Sequence, residues 1–196
     1  MEKKLEFGEV IKDGFAIGLK NVGPIIVNTL LWALTIWIPY LNVGTTIGLL
    51  VGVIAKASKG ESIAMTEIFN PEYRKSMGDF FLTAGFMSMG IAVGMALFFG
   101  PGVVIAIAWS QALLLAVDKG KNPTEALNIS NKVTYGNKWI IFLVQLALSV
   151  AVSIIGAILM YIRYVGPVLM FAVMILYMLV NIGIQAHIYK KLCKDI

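Results

Sequence analysis

Six long runs of apolar sequence constrain this chain more than any other feature. Residues 22–38, 41–57, 80–99, 103–117, 139–161 and 165–188 carry almost no charge. A membrane helix needs about 20 apolar residues, within a range of about 17–25. The first two runs are short by that measure, and the fourth is short unless its flanks extend it. Helices apolar on every face cannot all be interior in a chain of 196 residues, because so small a domain has too little inside to hold them. The composition agrees: 59% hydrophobic and 14% charged, against about 45–50% and about 25% in ordinary globular proteins. The expectation is an all-α polytopic membrane protein, one domain over residues 1–196, with six transmembrane helices arranged as three hairpins.

Each hairpin follows a polar segment suited to the membrane interface. In residues 1–21, Phe7, Val10, Ile11, Gly14, Phe15 and Gly18 recur at helical spacing among Lys4, Glu9, Lys12, Asp13 and Lys20. That pattern predicts an amphipathic helix lying in the headgroup layer, loosened by its glycines. Pro39 then ends one helix and turns the first hairpin beside Tyr40. In the second polar stretch, residues 56–79, Asn70, Pro71 and Glu72 read as a helix start. The second hairpin turns at Phe99, Gly100, Pro101 and Gly102. The third polar stretch, residues 118–139, opens with Asn122, Pro123, Thr124 and Glu125, a capping box that delivers the chain into its last hairpin. That hairpin turns near residues 161–167.

Charge placement predicts the orientation. Of the 16 lysines and arginines, all but Arg163 lie in the N-terminal segment, the two polar linkers or the tail, and all 11 acidic residues share that side. By the positive-inside rule this face is cytoplasmic, with both termini inside a prokaryotic inner membrane. The pI near 9.3 then reflects topology and attraction to anionic lipid rather than a nucleic-acid partner. Glu2, Glu6, Glu9 and Asp13 ahead of the first apolar run make a poor signal peptide. The lone Cys193 excludes an intramolecular disulfide.

An internal triplication, with copies at 1–58, 59–118 and 119–196, is suggested by spacing. Glu9, Glu67 and Glu125 recur at one fixed interval, and Asn21, Asp79 and Asn137 recur at the same interval just ahead of membrane runs. Ser58, Lys59 and Gly60 also resemble Asp118, Lys119 and Gly120. Mitochondrial carriers share the three-hairpin plan, but their Pro-x-acid-x-x-base signature is absent.

The chain offers little chemistry. An ionisable group inside a span is a functional hypothesis, yet Asp79 and Asp118 sit at span ends, Arg163 at the outer turn and His187 near the inner end of the last helix. His187 could pair with Asp118 or Asp79. No metal-ligand spacing, phosphate loop or activated nucleophile is evident, so neither cofactor nor enzymatic activity is expected. The other candidate polar positions are Glu125, Asn137, Gln111, Gln145 and Asn181. Asn28, Thr35, Ser88, Ser110 and Gln185 also fall in mid-span, where bonds between helices are the simpler reading than a hydrophilic path. Small residues recur every fourth position at Gly44, Gly48 and Gly52, at Ala84, Ser88 and Ala92, and at Ser149 and Ser153. Such stripes bring helix backbones together in lipid.

At Asp118, Gly120, Glu125, Ala126, Leu127 and Ser130, then Gly136, Asn137 and Trp139, the chain resembles a group of uncharacterised prokaryotic six-helix membrane proteins. The group includes the membrane domain sometimes fused to glycerophosphoryl diester phosphodiesterases. The resemblance implies a polytopic inner-membrane protein and carries no phosphodiesterase activity, since that domain is not among these residues. The function expected is a non-enzymatic module that binds membrane lipids or a partner, or organises the bilayer. The alternative is an oligomeric channel or facilitator for ions or small solutes. A second copy or another membrane protein is the expected protein partner.

Overall fold

The apolar runs form helices, and no strand occurs among the described residues. The computed structural model describes residues 4–162 and 164–196, so Arg163, assigned above to the outer turn, lies outside the described residues. Helices α1 (Phe7–Lys20) and α2 (Val22–Thr35) meet at a bend of 72°. The chain continues through α3 (Pro39–Lys59), α4 (Met77–Leu97), α5 (Phe99–Asp118), α6 (Pro123–Thr134), α7 (Lys138–Leu159) and α8 (Gly166–Cys193). Five of these, α3, α4, α5, α7 and α8, are long and apolar enough to cross a membrane. A sixth crossing exists only if α1 and α2 together make one bent span.

The first hairpin therefore differs from the expectation. Helix α2 stops at Thr35 after 14 residues, a length of about 21 Å at 1.5 Å per residue, short of a hydrocarbon core about 30 Å thick. Helix α1 differs too, since it lies antiparallel along α8. Its Gly14 and Gly18 meet Ile184, Leu179 and Val180, and Gly183 of α8 meets the Gly14 carbonyl. Two of the three glycines expected to loosen α1, Gly14 and Gly18, are the ones that let two backbones touch, while Gly8 meets nothing.

Three antiparallel hairpins are fastened in different ways. Between α2 and α3, Trp32 Nε1 donates to Thr46 Oγ1 at 2.9 Å, and the Thr35 and Thr45 hydroxyls lie 3.3 Å apart. Between α4 and α5, Gly94 lies against Gly102 and Gly90 under the Trp109 ring. Between α7 and α8, Asn181 Nδ2 donates to Gln145 Oε1 at 3.4 Å, and Gly156 faces Met170. Gly90 and Gly94 thus take the role expected of the stripe beside them. Ala84 is half-buried, while Ser88, Ala92, Ser149 and Ser153 face outward from this chain.

The stripe on α3 has an unexpected partner. Gly44, Gly48 and Gly52 meet Arg74, Ile68 and Tyr73, which belong to the loop after α3 rather than to another helix. Gly60, with φ of 73°, ends α3 in the left-handed conformation that glycine adopts without strain. The chain then folds back through a 3-10 turn (Glu67–Phe69) and a single helical turn (Glu72–Lys75). Asn70 Oδ1 accepts the Glu72 amide at 3.1 Å, so the predicted helix start is present, though the helix is four residues long. Opposite this loop, α3 widens into one π turn (Gly48–Gly52).

Asn28 pins the loop from the α2 side. Its side chain is fully buried, donates to the Pro24 and Ala64 carbonyls at 2.8 Å each, and accepts the Ile68 amide at 3.0 Å. Asn28→Ala orphans loop groups that water cannot reach, at a cost of about 2 kcal/mol. Denaturation in detergent should register that loss, and amide exchange over residues 61–71 should accelerate. Unchanged exchange in the loop would refute the pinning role.

Packing is concentrated in one half of the molecule. Apart from Gly166, the buried residues of α8 run from Leu179 to Cys193, and those of α7 are Ile141 and Val144 alone. Helix α3 is the central element, with 67% of its apolar window buried against 17% for α4 and 11% for α7. At the three hairpin turns, Trp37, Phe98, Phe99, Tyr161 and Tyr164 are exposed. Aromatic rings of this kind favour a membrane–water boundary.

Candidate functional site

Among the described residues, charged side chains form three networks where the well-packed helix ends meet. The first centres on Glu67, only 3% exposed. Lys56 of α3 pairs with its Oε2 at 2.8 Å, and the Tyr73 hydroxyl donates to its Oε1 at 2.7 Å. Burial pushes this carboxyl up, but the bonds from Lys56 and Tyr73 and the lysine charge outweigh it, leaving the group below its ordinary value. Burial, with the same contact to Glu67, holds the Tyr73 phenol well above its ordinary value.

The second network centres on Asp118 at the end of α5. It forms an ion pair with Lys59 of α3 and accepts the Tyr189 hydroxyl of α8 at 2.9 Å. One nearly buried carboxylate thereby ties three helices. Alongside it, Lys59, Lys119, Lys190 and Lys194 line a cleft of about 260 Å³ with Tyr189.

The third network lies between α1 and α8. His187 Nδ1 is 3.4 Å from Asp13 Oδ2, and Nε2 is 3.9 Å from Glu9 Oε1. The second oxygen of Glu9 is paired with Lys191. The sequence allows this histidine Asp118 or Asp79 as a partner, or more simply backbone or water at the interface. Asp118 is instead taken by Lys59 and Tyr189, Asp79 stands exposed in the first turn of α4, and the docking of α1 gives His187 other partners. These groups line a cleft of about 520 Å³ with Lys190 and Lys194.

The remaining candidates hold the helices in place. Asn122 Oδ1 accepts the Glu125 amide at 2.9 Å, the cap expected from sequence, while Glu125 pairs with Lys121 at 3.1 Å. Asn137, before α7, accepts the Leu5 amide at 2.7 Å and so anchors the start of the chain. Helix α5 is interrupted near Ser110, and the Ala108 carbonyl freed there accepts the Ser130 and Thr134 hydroxyls of α6 at 2.8 and 3.2 Å. Ser130 Oγ also accepts the Gln111 amide at 3.2 Å, and Gln111 Nε2 donates to Gln185 Oε1 at 3.4 Å. Gln145 and Asn181 bond to each other across the last hairpin. Ser130 is thus the clasp across a broken helix.

The sequence marks Glu9, Asp13, Lys59 and Glu67 by spacing and segment polarity rather than as site residues, and it does not single out Lys56, Tyr73 or Tyr189. One signal was available. Lys56 is a charge at the edge of an apolar run, and such a charge calls for a partner.

The class that this fold defines is an all-helical protein with five or six helices fit to cross a membrane and polar networks gathered where they pack. Comparison with protein-family models, with curated proteins and with solved structures finds no match for this chain.

Proposed function

We propose that the protein is a non-enzymatic module of a prokaryotic inner membrane that binds anionic phospholipid at its cytoplasmic face. One observation carries the reading: Lys59, Lys119, Lys190 and Lys194 converge with Tyr189 on a single cleft at the packed end of the bundle. Lysines near a membrane surface attract anionic headgroups by about 1 kcal/mol each. The positive-inside rule puts this end, with both termini, in the cytoplasm. The reading takes α1 and α2 as one bent crossing, giving six spans in three hairpins. It also keeps the triplication and the likeness to the phosphodiesterase-linked membrane domain. Two parallels support the repeat: Asn21 and Asn137 each stand just before a helix of apolar sequence, and Gly60 and Gly120 both take positive φ at helix ends.

Native mass spectrometry from nanodiscs containing phosphatidylglycerol and phosphatidylcholine tests the proposal. A monomer retaining phosphatidylglycerol is expected, and the triple change Lys119→Gln, Lys190→Gln and Lys194→Gln should remove that preference. A second reading, an oligomeric channel, draws on the outward-facing Ser88 and Ala92 of α4 and Ser149 and Ser153 of α7. A ring-sized oligomer with solute flux in liposomes would favour that reading and defeat the first.

A further inference from the structure

We infer that Glu9, Asp13 and His187 form a binding site for one divalent transition-metal ion where α1 crosses α8. The argument starts from the docking of the two helices. Glu9 and Asp13 are four residues apart and so share one face of α1. The glycine contacts at Gly14, Gly18 and Gly183 dock α1 on α8, and the neighbouring edge of α1, carrying Glu9 and Asp13, then stands beside His187 and Lys191. One donor atom from each of the three residues then lies within 4.8 Å of the other two.

His187 supplies a separate observation. Its side chain is only 7% exposed, it lines the cleft with both acids, and its Nε2 has no hydrogen-bond partner among the described residues. A buried polar atom without a partner calls for one from outside the chain. Glu9 Oε1, at 3.9 Å, is too far to be that partner by hydrogen bond. An ion holding nitrogen and oxygen donors at about 2.0–2.2 Å draws them to roughly 3–3.5 Å from one another. The half-exposed Glu9 and Asp13 side chains can close that distance by rotating. One imidazole with two carboxylates is a donor set for zinc, cobalt, iron or manganese, with water completing the shell.

The surrounding charge adds a signature that a purely structural histidine lacks. Lys190, Lys191 and Lys194 line the same cleft, and Lys191 occupies the second oxygen of Glu9. These cations oppose a metal ion, so removing one tightens its binding. The ion in turn fastens α1 to α8.

The test uses the full chain in detergent micelles, stripped with a chelator and titrated calorimetrically with Zn²⁺, with Co²⁺ absorption as a second readout. One ion per chain is expected. Asp13→Asn, an isosteric change at a half-exposed carboxylate, should weaken binding by no less than the roughly 10- to 100-fold that follows loss of an outer-shell partner. Lys191→Gln should tighten binding, and Cys193→Ser should leave it unchanged. The inference is overturned by absence of saturable uptake, by uptake that Asp13→Asn does not weaken, or by uptake lost with Cys193→Ser.

Discussion

Gly183→Ala should loosen the N-terminal helix from the rest of the protein, the largest effect expected of any single methyl group in this chain. A Cβ at position 183 would overlap the Gly14 carbonyl and crowd the Gly18 amide, and both obstacles are backbone. Neither can swing aside as a side-chain tip does, so α1 must move away from α8. Overpacking costs about 1–3 kcal/mol, and a clash with backbone belongs at the upper end. Against this, alanine in a helix interior gains about 0.5–1 kcal/mol over glycine. Gly85→Ala isolates that gain, because Gly85 lies in the interior of α4 and nothing lies within 4 Å of a Cβ there. Thermal unfolding in detergent should therefore show Gly85→Ala slightly stabilised and Gly183→Ala clearly destabilised. Limited proteolysis should cut the loosened N-terminal segment first. Equal melting of the two variants would mean that α1 does not depend on this contact.

Glu67→Ala should cost about 3 kcal/mol, near the lower end for breaking a buried ion pair, because Lys56 keeps some access to water. The change also strips the acceptor from Tyr73, whose ring lies over Gly52 and so joins the loop to α3. The same carboxylate gives a pH dependence of definite sign. Its folded value lies below the ordinary 4.5, so unfolding binds a proton there. The resulting stability is fully present above about pH 4.5 and is lost as the pH falls through the lower folded value. In Glu67→Ala that acid-side loss should shrink relative to the parent. An unaltered acid limb in denaturant titrations would assign the acid sensitivity to other groups.

Much of the architecture could be read from the chain because hydropathy is a local property. Long uncharged runs must leave water wherever they finally pack, so α4, α7 and α8 were legible almost to their ends. The cap at Asn122 was legible for the same reason, since its partner is three residues away. Lateral contacts were not legible. In a helix apolar on every side, nothing local distinguishes the outward Ser88 and Ala92 from the inward Gly90 and Gly94. Trp109 and Gly102, on the neighbouring helix, make that choice. The third network was hidden because Gly14 and Gly18 look like weak points in an amphipathic helix, whereas they are the surface by which α1 finds α8. Nothing local links Glu9 and Asp13 to His187 without that docking, and of the two acids considered for the histidine, Asp118 is held by Lys59 and Tyr189 while Asp79 stands exposed.

The π turn at Gly48–Gly52 bears on which insertions and deletions the chain can survive. A residue removed from a regular stretch of α3 would rotate everything beyond it by about 100°, carrying Lys56 away from Glu67 and Lys59 away from Asp118. The wide turn already holds one residue more than an α-helix would use over that rise. A deletion there takes up the slack and leaves both lysines in phase with their carboxylates. Changes in length that would scramble the charged end elsewhere in α3 have one place where they can be absorbed.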